Sequence, residues 1–293
     1  MQVIIYSTLF KEKDRIYIQE LFDELIHLNI QFYIYKPYYE QLVGHVAMGT
    51  DVKWVENLES LSAQKIDFVI TLGGDGTILS VVDFVKNSGI PVFGINLGRL
   101  GFLANIEKAN IKQAINALNN RQINIEERGM LYLESNLPIF NGNMIALNDF
   151  TVLKRDTSSM ITINTFLNGA YLNSYWADGL IVSTPTGSTG YSLSCGGPII
   201  FPNSSDFVIT PVAPHNLNVR PIIIPDTSVI SFEIVGRAEN FLCTLDSRFE
   251  TITQLHQLAI RKNNYKIKLV QLHGISFLNV LRGKLAWGND LRN

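Results

Sequence analysis

Apolar and polar positions along the chain follow two different rhythms. In the first stretch, Val3-Ile-Ile-Tyr6, Phe32-Tyr-Ile-Tyr35, Asp67–Leu72 and Val92–Ile95 are short apolar runs. Runs of this kind are typical of strands buried on both faces. Within residues 13–28, Ile18, Leu21, Phe22, Leu25 and Leu28 form one stripe at i, i+3, i+4 and i+7, which predicts a helix. Further helices are predicted through Ile78, Leu79, Val82 and Val85 and over residues 110–119. The alternation of strand and helix predicts an α/β unit with a parallel sheet and right-handed crossovers.

After Ile123 the rhythm changes. Short runs rich in Val, Ile, Thr, Phe and Tyr recur at 144–154, 160–167, 170–176, 179–184, 206–213, 228–235, 240–246 and 265–272, with turn residues between them. That spacing predicts an all-β, sandwich-like second domain. The expected division is an α/β domain over 1–122 and a β-rich domain over 123–272. The tail 273–293, with a helix from Ser276 to Trp287, is expected to return to the first domain.

Composition narrows the chemistry. Lys plus Arg number 24 and Asp plus Glu 26, a net charge of −2. A near-neutral chain has no global attraction for nucleic acid or anionic membranes, so neither is expected as a partner. Bound phosphate must then be held locally. No apolar run approaches the roughly 18 residues of a membrane helix. The N-terminus has no export signal, and Cys195 and Cys243 are too few for a disulfide framework, so a cytoplasmic location is expected. Cys195 is read as an incidental thiol, and His215 as a turn histidine. Neither HxxxH nor CxxC occurs, so a zinc site has no support.

Two segments carry candidate chemistry. Gly73-Gly-Asp-Gly-Thr77 joins an apolar strand to a predicted helix. Glycines let backbone approach a phosphate, and a helix N-terminus offers free N–H donors. A carboxylate would repel phosphate, so Asp75 points instead to proton handling or metal placement. As a plain turn, Asp75 would simply cap the helix. A second turn, Asn96-Leu-Gly-Arg-Leu-Gly-Phe102, offers Arg99 to phosphate and Phe102 to a base. In the second domain, the run from Asp178 to Gly197 is dense in hydroxyls and glycines. It suits a neutral, hydroxyl-rich ligand such as a nucleoside. Asn148-Asp149 interrupts an otherwise apolar strand.

Together these segments resemble NAD kinases. The resemblance runs through Gly73–Thr77, Leu97–Leu103, Leu147-Asn-Asp149, Asp178–Ser192 and Pro214–Pro221, in the family's order. The first of these is shared with lipid kinases and, more loosely, phosphofructokinases; the 178–197 segment is far more specific. The resemblance implies a Rossmann-like α/β domain followed by a β-sandwich-like domain. It implies phosphorylation of the adenosine ribose 2′-hydroxyl of NAD by ATP, with a divalent metal, usually magnesium, in a homodimer or homotetramer. Carried over by position, Asp75 is the catalytic base, and Gly74, Gly76 and Thr77 lie against NAD. Phe102 lies near the adenine, and Asn148 and Asp149 bind adenosine. Asp178 faces the nicotinamide end, and Thr186, Thr189, Gly190, Tyr191, Ser192, Leu193 and Ser194 line the same pocket. Arg99 is the candidate phosphate contact. The metal ligands are not assigned.

Three segments depart from the family pattern. The usual Asn-Glu is Asn148-Asp149, one methylene shorter. The Thr-Ala-Tyr often seen is Thr189-Gly-Tyr191. The common Asp-Gly-Gln is Asp246-Ser-Arg248, which puts a charge among the NAD-contacting positions and bears on the choice between NAD and NADH. Two other readings differ in class. A lipid kinase would need an acyl channel, which the polar clusters oppose. A non-catalytic dinucleotide sensor would bind NAD without producing NADP.

Overall fold

The computed structural model describes residues 1–61, 64–155, 159–236 and 238–286. The chain forms two compact units. One comprises residues 1–127 together with the described residues 267–286; the other is Arg128–Lys266.

The first unit is α/β. Its strands are β1 (Gln2–Tyr6), β2 (Gln31–Tyr35), β3 (Lys53–Val55), β4 (Phe68–Leu72), β5 (Val92–Asn96), β6 (Ile106–Glu107) and β7 (Ile123–Arg128). Its helices include α1 (Arg15–His27), α2 (Lys36–Leu42), α3 (Asp75–Val85) and α4 (Ile111–Asn119). The chain supplies one more strand late, Ile267–Leu272. The sheet order is β3-β2-β1-β4-β5-(267–272)-β7, with β6 beside β5. Every residue of β4 and β5 is buried, as strands covered by helices on both faces require. Ile18, Leu21, Phe22 and Leu25 of α1 are buried, the face that the sequence stripe predicts. Gly94 in β5 is required by packing: a Cβ there would stand 2.6 Å from Ile78 Cδ1 and 3.1 Å from the Ala104 Cα. That closeness seats α3 and the 104 segment against the strand.

The second unit is a pair of antiparallel sheets. Its strands are β8 (Leu131–Ser135), β9 (Ile145–Ala146), β10 (Asp149–Lys154), β11 (Ile161–Leu167), β12 (Ala170–Ala177), β13 (Gly179–Ser183), β14 (Asp206–Val212), β15 (Ile222–Pro225), β16 (Ile230–Val235), β17 (Asn240–Leu245), β18 (Arg248–Thr253) and β19 (Leu258–Lys262). One sheet runs β15-β14-β13-β10-β17-β18 and the other β12-β11-β16-β19-β8-β9. Burial alternates along β16 and β17, the period-two pattern of strands with one face on the core. Phe150 and Phe232 stack across that core with ring centroids 5.4 Å apart.

Several details differ from the sequence expectation. The run 265–272, grouped with the β-rich domain, contributes its strand to the parallel sheet, where Leu269 pairs with Val92. Ile123–Arg128 joins that same sheet, so the first unit extends beyond 122. Both segments are β-rich in composition, and their sheet partners lie far away in sequence. The single strand expected over 144–154 is two strands: Ile145–Ala146 belongs to one sheet and Asp149–Lys154 to the other. Strands 131–135, 222–225, 248–253 and 258–262 and helix 36–42 lie where the sequence carries no strong periodic signal. The final helix spans Phe277–Leu285, with the Ser276 side chain accepting from the Asn279 N–H. Its expected end at Trp287, and the rest of the tail, lie outside the described residues.

Candidate functional site

In the first unit, the glycine turn sits where β4 gives way to α3. β1 is followed in space by β2 on one side and β4 on the other. The crevice beyond the strand ends at such a switch point is where open α/β sheets bind ligands. A cleft of about 260 Å³ lies there, lined by Ser7, Gly73, Thr77 and Asn96 together with Lys11, Lys13 and Arg99. All three basic residues are exposed. Gly73 must be glycine, because a Cβ would stand 2.1 Å from Thr77 Oγ1.

Asp75 is the first residue of α3, whose N-cap is Gly74, and its carboxylate makes no capping bond to the helix. Oδ2 accepts the backbone N–H of Phe102 at 2.8 Å. Oδ1 accepts those of Leu103 and Ala104 at 3.0 and 2.9 Å. The acid therefore clamps the second turn. Gly101 lies so close that a Cβ would stand 1.9 Å from Asp75 Oδ1. Asn96 shapes the same loop from the other side. Its amide donates to the carbonyls of Arg99 and Ala104 at 2.8 and 3.1 Å, and its Oδ1 accepts from Gly98 at 2.7 Å. Asn96 escaped the sequence reading; an asparagine ending a buried apolar strand was the available signal. Phe102 is partly buried, with Lys284 Nζ 5.7 Å from its ring centroid.

In the second unit, the polar pair Asn148-Asp149 lies where the chain passes from one sheet to the other. The hydroxyl-rich turn folds against it. A Cβ on Gly187 would stand 2.2 Å from the Asn148 carbonyl oxygen. A Cβ on Gly190 would stand 4.0 Å from both Asn148 Nδ2 and Asp149 Oδ2. Asp149 is buried, and its carboxyl is pushed up to about 7, first by burial and then by the charge of Asp246. Tyr191 follows in a short helix, α5 (Tyr191–Ser194). Burial raises its phenol, as do Cys195, Asp149 and Asp178. The structure thus brings Asn148, Asp149, Asp178, Gly190 and Tyr191 into one neighbourhood.

Several of the expected contacts have partners within the protein. Ser192 is fully buried, its hydroxyl 2.8 Å from Thr210 Oγ1, so it supports the turn rather than facing a ligand. Thr186 is likewise buried, with Arg128 Nη1 3.5 Å from its hydroxyl. Thr189 donates its hydroxyl to the Thr186 carbonyl at 3.3 Å. Asp178 is paired with Lys154 at 2.6 Å. Leu193 is partly exposed, and Ser194 is exposed. Arg248 is not a free charge. Its guanidinium donates to the carbonyl of Asn143 at 2.7 Å and to that of Ile145. His215 packs on Trp176 at 4.2 Å between ring centroids. Among the described residues, no three His, Cys, Asp or Glu side chains group as metal ligands.

Comparison with known proteins follows the same division. The family of ATP-NAD kinase N-terminal domains matches residues 8–123, and that of ATP-NAD kinase C-terminal domains matches 147–272. The NAD kinase of Cytophaga hutchinsonii is 45% identical over 290 residues, covering 99% of both chains. That of Flavobacterium johnsoniae is 44% identical over the full length of both. Among solved structures, yeast NADH kinase complexed with NADH has a TM-score of 0.86 at 22% identity, covering 99% of this chain and 89% of that one. An NAD kinase from Archaeoglobus fulgidus in complex with ATP has a TM-score of 0.74 at 23% identity, covering 98% and 99%. Two domain matches and full-length identity of this order establish that the chain belongs to the NAD kinase family.

Proposed function

We propose that this protein transfers the γ-phosphoryl group of ATP to the 2′-hydroxyl of the adenosine ribose of NAD, releasing ADP, NADP and the hydroxyl proton. The reading rests on one observation above all: the chain matches NAD kinases across both domains and at full length.

The residues suit the chemistry. Phosphoryl transfer asks a protein mainly for positioning and charge neutralisation. Lys11, Lys13 and Arg99 beside the glycine turn suit the phosphates of ATP. Asn148 and Asp149 suit adenosine, whose amine donates to a carboxylate and whose ring nitrogens accept from a carboxamide. Tyr191 and Asp178 suit the far ribose. Asp75 is the proton acceptor. A carboxylate has about four lone-pair positions. Oδ1 has both occupied by backbone N–H groups, whereas Oδ2 accepts only Phe102. One acceptor position on Oδ2 is left for the ribose hydroxyl.

A divalent metal, magnesium by family resemblance, would neutralise phosphate charge when bound. Such an ion would keep several waters and bind mainly through the nucleotide's phosphates, with at most one or two protein carboxylates. The clamped Asp75 and the absence of an acidic cluster among the described residues suit an ion carried in by ATP rather than one caged by the protein. A cytoplasmic homodimer or homotetramer completes the reading. No described helix is long and apolar enough to cross a membrane.

The test is a coupled assay. Purified protein, NAD and ATP with magnesium should yield NADP, read by an NADP-specific dehydrogenase. NAD binding without NADP would identify a sensor instead. Replacing NAD with NADH, or ATP with polyphosphate, measures specificity, and light scattering gives the oligomeric state.

A further inference from the structure

Main-chain groups around Asn148-Asp149 are satisfied in an unusual way. Three consecutive backbone N–H groups converge on one carboxylate. Asp246 Oδ2 accepts from Leu147 at 2.8 Å, and Oδ1 accepts from Asn148 at 2.7 Å and Asp149 at 3.1 Å. The Asp246 N–H donates back to the Asp149 carbonyl at 3.0 Å. The two remaining carbonyls are held by Thr184: its hydroxyl donates to Leu147 at 2.5 Å and its N–H to Asn148 at 2.9 Å. Every backbone donor and acceptor of Leu147–Asp149 is therefore fixed by two residues, 184 and 246.

The need for such a device follows from the fold. The segment leaves one sheet at Ala146 and enters the other at Asp149. Between them no ladder partner is available, and buried backbone groups without partners cost free energy. Asp246 fills the gap from the turn joining β17 to β18, in the left-handed region with φ +53°. Asp and Asn tolerate that conformation best among residues with a Cβ. A carboxylate is the one side chain that accepts three donors without presenting one of its own. Arg248, two residues on, lies close enough to stabilise its charge and ties down Asn143 and Ile145 on the approach.

We propose that Asp246 is the positioning residue of the adenosine site: it sets the backbone from which Asn148 and Asp149 present their side chains, without itself touching the dinucleotide. This rests on the NAD kinase reading above, with Asn148-Asp149 as the adenosine contact. Asp246 also faces Asp149 as a like charge, so it influences Asp149's ionisation as well as its place. The other groups about Asp149 are the Thr151 hydroxyl, Tyr191 and Cys195.

The test compares wild type with Asp246→Asn, which keeps a side chain suited to the left-handed turn but replaces one accepting oxygen with an N–H₂. We expect KM for NAD to rise by about tenfold or more, the scale of a lost charged hydrogen bond. KM for ATP should stay within about twofold, because that substrate uses other contacts. The acid limb of the NAD KM profile should move to lower pH, because Asp149 loses its like-charged neighbour. A fall in kcat with both KM values and the acid limb unchanged would overturn the proposal, leaving Asp246 a residue of general stability. Absence of NADP formation by wild type would instead sink the enzymatic reading. Amide resonances of wild type supply the check that needs neither turnover nor a folded variant. Those of Leu147, Asn148 and Asp149 should titrate together as Asp246 protonates and should shift on adding NAD. Amides that ignore either perturbation refute the proposal.

Discussion

The Asp75 carboxylate accepts the backbone N–H of Phe102 at 2.8 Å. The acid of the glycine turn is thereby tied to the aromatic residue proposed to lie near the adenine. The proposed proton acceptor and the proposed base contact are thus joined by one hydrogen bond, and damage to either is expected at both.

Asp75→Asn tests the acid directly. The amide cannot take the hydroxyl proton and replaces one of the two accepting oxygens with an N–H₂ donor. We expect kcat to fall by at least about 10²-fold, the scale of general-base loss, with NAD binding retained. Steady-state kinetics beside calorimetric NAD titration measure both, and an unchanged kcat would remove Asp75 as base.

Gly101→Ala tests the clamp while keeping the carboxylate. The added methyl would start 1.9 Å from Asp75 Oδ1, so the loop must move by the order of 1 Å. Misplacement on that scale costs up to about 10² in rate. A kcat within twofold of wild type would show that the loop position is unimportant to turnover.

Arg99→Ala probes the basic rim of the cleft. Losing one charged phosphate contact should raise KM for ATP by about tenfold and leave KM for NAD nearly unchanged. The opposite pattern would move Arg99 to the dinucleotide.

Asp149 makes a pH prediction for stability. Its carboxyl stands at about 7 in the folded chain, against an ordinary 3.8. A raised folded value means the native state holds its proton more tightly than the unfolded chain does. The stabilisation is complete below the ordinary value and is lost as pH rises through about 7. Wild type should therefore lose thermal stability between pH 5 and 8 more steeply than Asp149→Asn, as read by calorimetric melting. Parallel curves would contradict this.

Arg248→Gln separates structure from specificity. The guanidinium holds the carbonyls of Asn143 and Ile145, so the variant should lose about 1.5–3 kcal/mol of stability. Its preference between NAD and NADH should shift by less than about twofold, the change expected of a residue without direct ligand contact. Chemical denaturation and kcat/KM for the two dinucleotides decide the matter.

The two-part architecture and the turns that carry the candidate site are legible in the chain itself. Periodicity of 3.6 around Ile18–Leu25 and continuous apolar runs at Phe68–Leu72 and Val92–Ile95 are local signals, and they correspond to α1, β4 and β5. The glycine turn is also local, because its backbone conformation depends on its own missing side chains. What escaped was long-range. Asp246 reads as the unaltered acid of a turn whose next two residues depart from the family pattern, yet it serves backbone groups 97 to 99 residues away. Ser192 and Thr186 read as ligand hydroxyls, but burial commits them to the scaffold.

By itself, then, the sequence determined which residues turn, which bury, and which carry an acid, a carboxamide or a hydroxyl. The tertiary structure alone decided that Asp75 grips residues 102–104, that 144–154 divides between two sheets, and that 267–272 completes the parallel one. The reason is physical. Backbone preference and amphipathic period are set by neighbours along the chain. The partner of a buried N–H or an open strand edge is set by whatever the fold brings within 3 Å.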